Sequence, residues 1–148
     1  MKNDLKSLVK KKYGEIARKA KTQNRSSCCG GAGCCDQPDY VDFSDDYTGI
    51  EGYQSEAGLG CGLPAEYAGI RKGDHVLDLG PGAGNDCFVA RALVGEEGWV
   101  AGLDFTEAMI EIARNHLEKT GYRNIDFIQG DIEAIPLRDS VFDVVISN

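Results

Sequence analysis

The stretch VLDLGPGAG, residues 76–84, constrains this chain more than any other. A short apolar run feeds a loop with glycine at 80, 82 and 84, and a helix-forming segment follows. A loop built this way lets the backbone approach a ligand closely, because glycine has no Cβ and tolerates positive φ. Such a loop belongs between a parallel strand and a helix.

The surrounding pattern extends that unit. Residues 75–79 predict a strand and residues 85–94 a helix stopped by Gly95. Residues 99–103 predict a second strand. Thr106 is placed to cap a helix running to about Thr120, with Met109, Ile112, Ala113, His116 and Leu117 as its buried stripe and Gly121 just past its end. Residues 125–128 and 141–146 predict a third and a fourth strand, separated by a turn segment broken at Pro136. Strands alternating with helices imply a parallel α/β sheet with right-handed crossovers, the first half of a doubly wound fold. Nothing in the sequence covers the far edge of the fourth strand, so the sheet is expected to be truncated there.

Ahead of this unit the pattern changes. Residues 1–21 predict an amphipathic helix with Leu5, Leu8, Val9, Tyr13, Ile16 and Ala20 on one stripe. Residues 22–63 lose periodicity and hold eight glycines and five of the six cysteines. Pro64 suits the start of a short helix reaching Ile70. The expected organisation is a helix over 1–21, a Cys/Gly-rich loop segment over 22–63, and the sheet domain over 64–148.

Charge separates the same regions. Residues 1–27 hold nine Lys/Arg against Asp4 and Glu15, and residues 28–148 hold seven against twenty-two acidic residues. A body of that sign repels phosphate backbones, so no nucleic-acid partner is expected. The basic arm reads first as an ordinary amphipathic helix; the alternatives are contact with RNA or an acidic surface, or docking on the chain's own acidic body. The sequence contains no apolar run of membrane-spanning length and no secretory h-region, so a cytoplasmic protein with no membrane partner is expected.

The loop's acidic companions choose between adenosine cofactors. A dinucleotide loop wants a glycine where Asn85 stands. Asp78 lies two residues before the first glycine, where a carboxylate suits the ammonium of S-adenosylmethionine, which is therefore the favoured cofactor. Asp104 ends the second strand and is placed to accept hydrogen bonds from both ribose hydroxyls; the alternative is a helix cap. Asp131 follows the third strand, where the adenine edge would lie, and is otherwise a turn aspartate. Phe105 and Ile132 are placed to sandwich the ring.

The six cysteines are Cys28, Cys29, Cys34, Cys35, Cys61 and Cys87. Two vicinal pairs in CCGGAGCC fit tetrahedral zinc poorly and suit a soft, thiophilic ion such as trivalent arsenic. Cys87 lies in the first turn of the helix after the glycine loop, where a helix N-terminus favours the thiolate; otherwise it is a small buried hydrophobe. His75 and His116 read as packing or surface residues.

With these residues in view, the chain resembles the arsenite S-adenosylmethionine methyltransferases. The matching stretches are VKKKYGEIARKA, SCC, GLGCGLP, VLDLGPGAGNDCF, GLDFTEAMIEIAR and GDIEAIPLRDSVFDVVISN. The resemblance implies a Rossmann-like class I methyltransferase fold, with Asp78, Gly80, Gly82, Gly84, Asp104 and Asp131 holding the cofactor. It makes Cys28, Cys29 and Cys87 arsenic-binding thiols, with Cys61 lining the catalytic site and a thiol reductant needed for turnover. Pro81 and Leu63 depart from the usual Ser and Asn, and Cys34 and Cys35 have no counterpart role. Family members continue past I-S-N with a metalloid-binding Cys. The end at Asn148 raises the expectation of a UGA codon there, encoding selenocysteine or mutated from Cys, beside a deliberate cut or a fragmentary gene. The competing readings are a methyltransferase for another small molecule and a non-enzymatic thiol-rich metalloid-binding protein.

Overall fold

The computed structural model describes residues 6–15, 50–51 and 64–148. Four parallel strands form one sheet in the order β3-β2-β1-β4. They are β1 (His75–Leu79), β2 (Trp99–Asp104), β3 (Ile125–Gln129) and β4 (Val144–Ile146). Helix α1 covers residues 6–15. Helices α2 (Pro64–Tyr67), α3 (Asn85–Val94) and α4 (Glu107–Thr120) follow. The chain runs outward from β1 to β3 and then returns to the other side of β1. That reversal of direction is where a parallel α/β sheet opens a crevice at its carboxyl ends.

Parity along β1 sorts its side chains. Val76 and Asp78 face α3, and Val76 joins Phe88, Val94, Val100, Ile110 and Phe127 in the larger core cluster. Leu77 faces the opposite side with Ala101 and Leu103, and the segment between β3 and β4 packs there through Leu137 and Phe142. Trp99 stacks on Phe142 with ring centroids 5.3 Å apart, and its indole N–H donates to Asp126 at 2.8 Å.

β1 and α3 form over the residues the sequence predicts; other elements differ for local reasons. β2 and β3 each run one residue further, because Asp104 pairs with Gln129. β4 starts at Val144 rather than 141. Before it, Asp143 donates its N–H to the His75 carbonyl at 2.8 Å and accepts the His75 N–H on its carboxylate, which sets the register. α2 ends at Tyr67 rather than Ile70, and Gly69 follows at φ 67. In α4 the buried residues are Met109, Ile110 and Ala113, with Leu117 packed beside them. The stripe is turned toward Ile110, and Ile112 and His116 are half-buried. In α1 the expected stripe fails at two described positions: Leu8 and Tyr13 are exposed and only Val9 is half-buried.

Candidate functional site

The glycine loop has two sides, and they differ chemically. The inner side faces α3 and α4. Gly84 sits there at φ 94, and a Cβ on it would lie 2.6 Å from the Phe127 ring. Asp78 is also inside, 1% exposed, and accepts the Cys87 S–H at 3.4 Å. Burial, with repulsion from Asp86, pushes its carboxyl up to about 7, and the Cys87 hydrogen bond opposes the rise. Cys87 is itself fully buried in the larger core cluster. The thiolate expected from the helix N-terminus is corrected here. Burial drives the thiol well above its ordinary value, and the charges of Asp78 and Asp86 add to the rise.

The outer side opens into a cleft of about 350 Å³. It is lined by the carboxyl ends of all four strands: Leu79 and Gly80 at the end of β1, Leu103, Asp104 and Phe105 at β2, Asp131 and Ile132 after β3, and Ser147 after β4. Lys6 and Val9 of α1 complete it. Gly80 turns at φ 83 with open space where a side chain would stand, and its N–H donates to the Leu103 carbonyl at 2.9 Å. The loop is thereby tied to β2 without filling the cleft.

Asp104 links the loop to the next helix. One carboxylate oxygen accepts the Thr106 N–H at 2.7 Å and the other accepts the Gly82 N–H at 3.3 Å. Thr106 stands at the N-cap position of α4 but makes no side-chain cap bond. Burial raises the Asp104 carboxyl above its usual range, and the two amide hydrogen bonds pull it back. Each carboxylate oxygen carries further lone pairs, so Asp104 retains acceptor capacity toward a ligand hydroxyl.

Asp131 is paired. Lys6 lies 2.7 Å from Asp131 and 2.6 Å from Glu133. The Lys6 ammonium holds the Asp131 carboxyl below its ordinary value. Within the described part of the basic segment, Lys6 thus meets the chain's own acidic body.

Of the residues expected to hold a cofactor, the cleft brings together Gly80, Asp104, Phe105, Asp131 and Ile132. Asp78, Gly82 and Gly84 are not among its lining residues. Gly82 contributes an amide to Asp104, Gly84 lets the loop lie against Phe127, and Asp78 is sequestered beside Cys87. Cys28, Cys29 and Cys61 lie outside the described residues. Sequence reasoning missed Leu79, Leu103, Ser147, Lys6 and Val9. Ser147 was findable, because it follows β4 as Gly80 follows β1. Gly102 was missed as well: a Cβ there would sit 2.9 Å from Cys87 Sγ, Phe127 Cδ1 and Pro81 Cγ, so its absence lets the loop close on β2.

The cleft fits S-adenosylmethionine. Its volume lies at the lower end of the roughly 300–1,000 Å³ of small-molecule sites. Apolar walls from Leu79, Leu103, Phe105 and Ile132 suit an adenine ring, and the Asp104 carboxylate is an acceptor for ribose hydroxyls.

Comparison with known proteins agrees. Residues 70–148 match the family described as "Methyltransferase domain". An "Arsenite methyltransferase" of Halobacterium salinarum is 35% identical over 160 residues, covering 98% of this chain and 39% of that protein. A ubiquinone/menaquinone biosynthesis C-methyltransferase of Pseudoalteromonas translucida is 40% identical over 79 residues, covering 53% of this chain and 32% of its own. The crystal structure of an arsenic(III) S-adenosylmethionine methyltransferase from Chlamydomonas reinhardtii superposes with a TM-score of 0.54 at 46% identity, covering 62% of this chain and 33% of that one. The chain therefore spans about two fifths of the length of the curated relatives it matches along most of its own length. A parallel sheet with a glycine loop after β1, a carboxylate at the end of β2 and a family match over both place this chain in the S-adenosylmethionine-dependent methyltransferase family.

Proposed function

We propose that the whole protein transfers a methyl group to trivalent arsenic held by cysteine thiols. One observation carries this reading. The arsenite methyltransferase of H. salinarum aligns along 98% of the chain, including its Cys-rich segment, whereas the quinone-pathway C-methyltransferase aligns along 53%. The cofactor region is common to both substrates, and the cysteine region distinguishes them.

S-adenosylmethionine, when bound, supplies an activated methyl group on its sulfonium. The chain's own residues do the rest. Asp104 accepts from the ribose, Phe105 and Ile132 flank the adenine, and Gly80 keeps the loop low enough for close approach. Asp131 faces the adenine edge. Cys28, Cys29 and Cys61 are the proposed metalloid thiols; Cys87, buried beside Asp78, is assigned to the loop's support. Thiols exchange for the hydroxides of arsenite with release of water, which leaves the arsenic lone pair as the nucleophile. No side chain has to remove a proton from arsenic, so holding the lone pair in line with the methyl group is the main contribution. Methylation takes trivalent arsenic formally to the pentavalent state, so each further turn needs a thiol reductant.

The test is S-adenosylhomocysteine formation by the full-length protein with arsenite and a thiol reductant. Turnover with arsenite, lost on replacing Cys28, Cys29 and Cys61 by Ser with cofactor affinity retained, is the expected result. Turnover with a quinone precursor and none with arsenite would move the substrate to the C-methyltransferase class.

A further inference from the structure

We propose that Lys6 fastens α1 across the mouth of the cofactor cleft, so that this helix, which precedes the residues 70–148 matched by the methyltransferase domain, gates cofactor exchange. The inference rests on the cofactor reading of the cleft and concerns how that same site opens.

Lys6 and Val9 are three residues apart and so share one face of α1. Both line the cleft, and Lys6 meets its Asp131 there. In this proposal a molecule bound against those residues lies beside that face, and its release is coupled to movement of α1. Among the described apolar residues of α1 only Val9 is half-buried, so little apolar packing there resists that motion. Leu8 is 62% exposed and Tyr13 43%. The Lys6 ammonium, by contrast, bonds Asp131 and Glu133 together, across 125 and 127 residues of sequence. These bridges are partly exposed, with side-chain exposures of 43%, 42% and 63% for Lys6, Asp131 and Glu133. Exposed ion pairs contribute little each and are screened by salt. That strength suits a fastening that opens at every turnover. A buried pair would hold the helix down too firmly.

The partner set also gives the gate a graded action. Asp131 is the carboxylate proposed for the adenine edge, whereas Glu133 is not among the cleft residues. When adenine engages Asp131, Lys6 still has Glu133. The helix therefore stays closed over bound cofactor and leaves when both pairs break. Lys6 is a positioning residue in this scheme and touches no reacting atom.

The experiment measures S-adenosylhomocysteine binding to the full-length protein by calorimetry and its release by stopped flow, at low and high salt. Lys6→Ala is expected to speed release about two- to fivefold, in line with the modest strength of exposed pairs, and to flatten the salt dependence seen in the parent. Lys6→Glu, which repels both carboxylates, is expected to speed it further, and adding Glu133→Lys to slow it again in part, because Asp131 still faces the new carboxylate. Equal release rates and equal salt responses in parent and Lys6→Ala, with S-adenosylhomocysteine bound by both, overturn the gate alone. So does a Lys6→Glu effect that Glu133→Lys leaves uncorrected. A parent that binds no S-adenosylhomocysteine overturns the cofactor site and its gate together.

Discussion

Asp78 and Asp104 sit at the carboxyl ends of neighbouring strands, yet they occupy different chemical worlds. Asp78 points inward at Cys87 beneath the glycine loop, 1% exposed, with its carboxyl raised to about 7. Asp104 points to the loop's outer side, takes two backbone amides and lines the cleft. The sequence places both beside a glycine loop and cannot tell them apart. Position along the strand does: Asp78 is paired inside β1 opposite Gly102, beneath the loop, whereas Asp104 is the last residue of β2 and stands at the strand's end, although both lie on the face of Val76 and Val100. The loop therefore divides into an inner side packed in the core and an outer side that faces the cleft.

The largest expected effect tests the inner side through its glycine. Gly84→Ala places a Cβ 2.6 Å from the Phe127 ring at φ 94. Left-handed strain and overpacking together are expected to cost about 3–5 kcal/mol. Gly80→Ala is the control on the outer side. It has a similar φ of 83 and open space, so backbone strain alone, about 1–2 kcal/mol, is expected. Chemical denaturation of both variants measures the difference. Equal losses would erase the distinction between the two sides.

Asp78 itself gives the next effect, through pH. Its carboxyl keeps a proton in the folded protein up to about 7, whereas an ordinary carboxyl of 3.8 has lost it. The folded state therefore binds more protons than the unfolded chain between those values. Stability falls as pH rises through that window, and the full penalty, at most about 4 kcal/mol, stands above pH 7. Asp78→Asn cannot ionise, so it is expected to flatten this slope and to exceed the parent in stability at pH 8. Parallel stability profiles for the two proteins from pH 4.5 to 8 would remove Asp78 from the buried, proton-holding role.

Asp104 reverses that pattern. Asp104→Ala is expected to weaken S-adenosylmethionine binding by about 1–3 kcal/mol, because the ribose hydroxyls and two loop amides lose their acceptor. Calorimetry showing parental affinity would take Asp104 out of the cofactor site and leave it as a loop tie.

The fold was legible where its signals are local. Gly95 and Gly121 end α3 and α4, and short apolar runs define β1, β2 and β3, so these elements need only their immediate neighbours in sequence. The start of β4 was not, because a tertiary exchange of hydrogen bonds between His75 and Asp143 sets it. The outer side of the site was largely legible, since each strand's carboxyl end can be counted. The α1 contribution was not. Lys6 meets Asp131 across 125 residues, and one lysine among nine basic residues in the first 27 carries no mark of its partner. Cys87 shows the same limit on a smaller scale. A position in a helix's first turn fixes the dipole it feels but not whether it faces solvent or core. Here the core's desolvation outweighs the dipole.

The smallest effect tests that last point. Cys87→Ser keeps an acceptor, Asp78, for the new hydroxyl, so burying a more polar group is expected to cost only about 1 kcal/mol. As an inner-side residue, Cys87 is expected to register in the denaturation midpoint. Cofactor affinity should change less than twofold, and arsenite methylation should persist. The opposite result would be equally informative. A folded Cys87→Ser protein with parental cofactor affinity and no methylation would restore Cys87 to the metalloid thiols. It would also require α3 to open at the loop during the reaction, because the sulfur is fully buried beneath it.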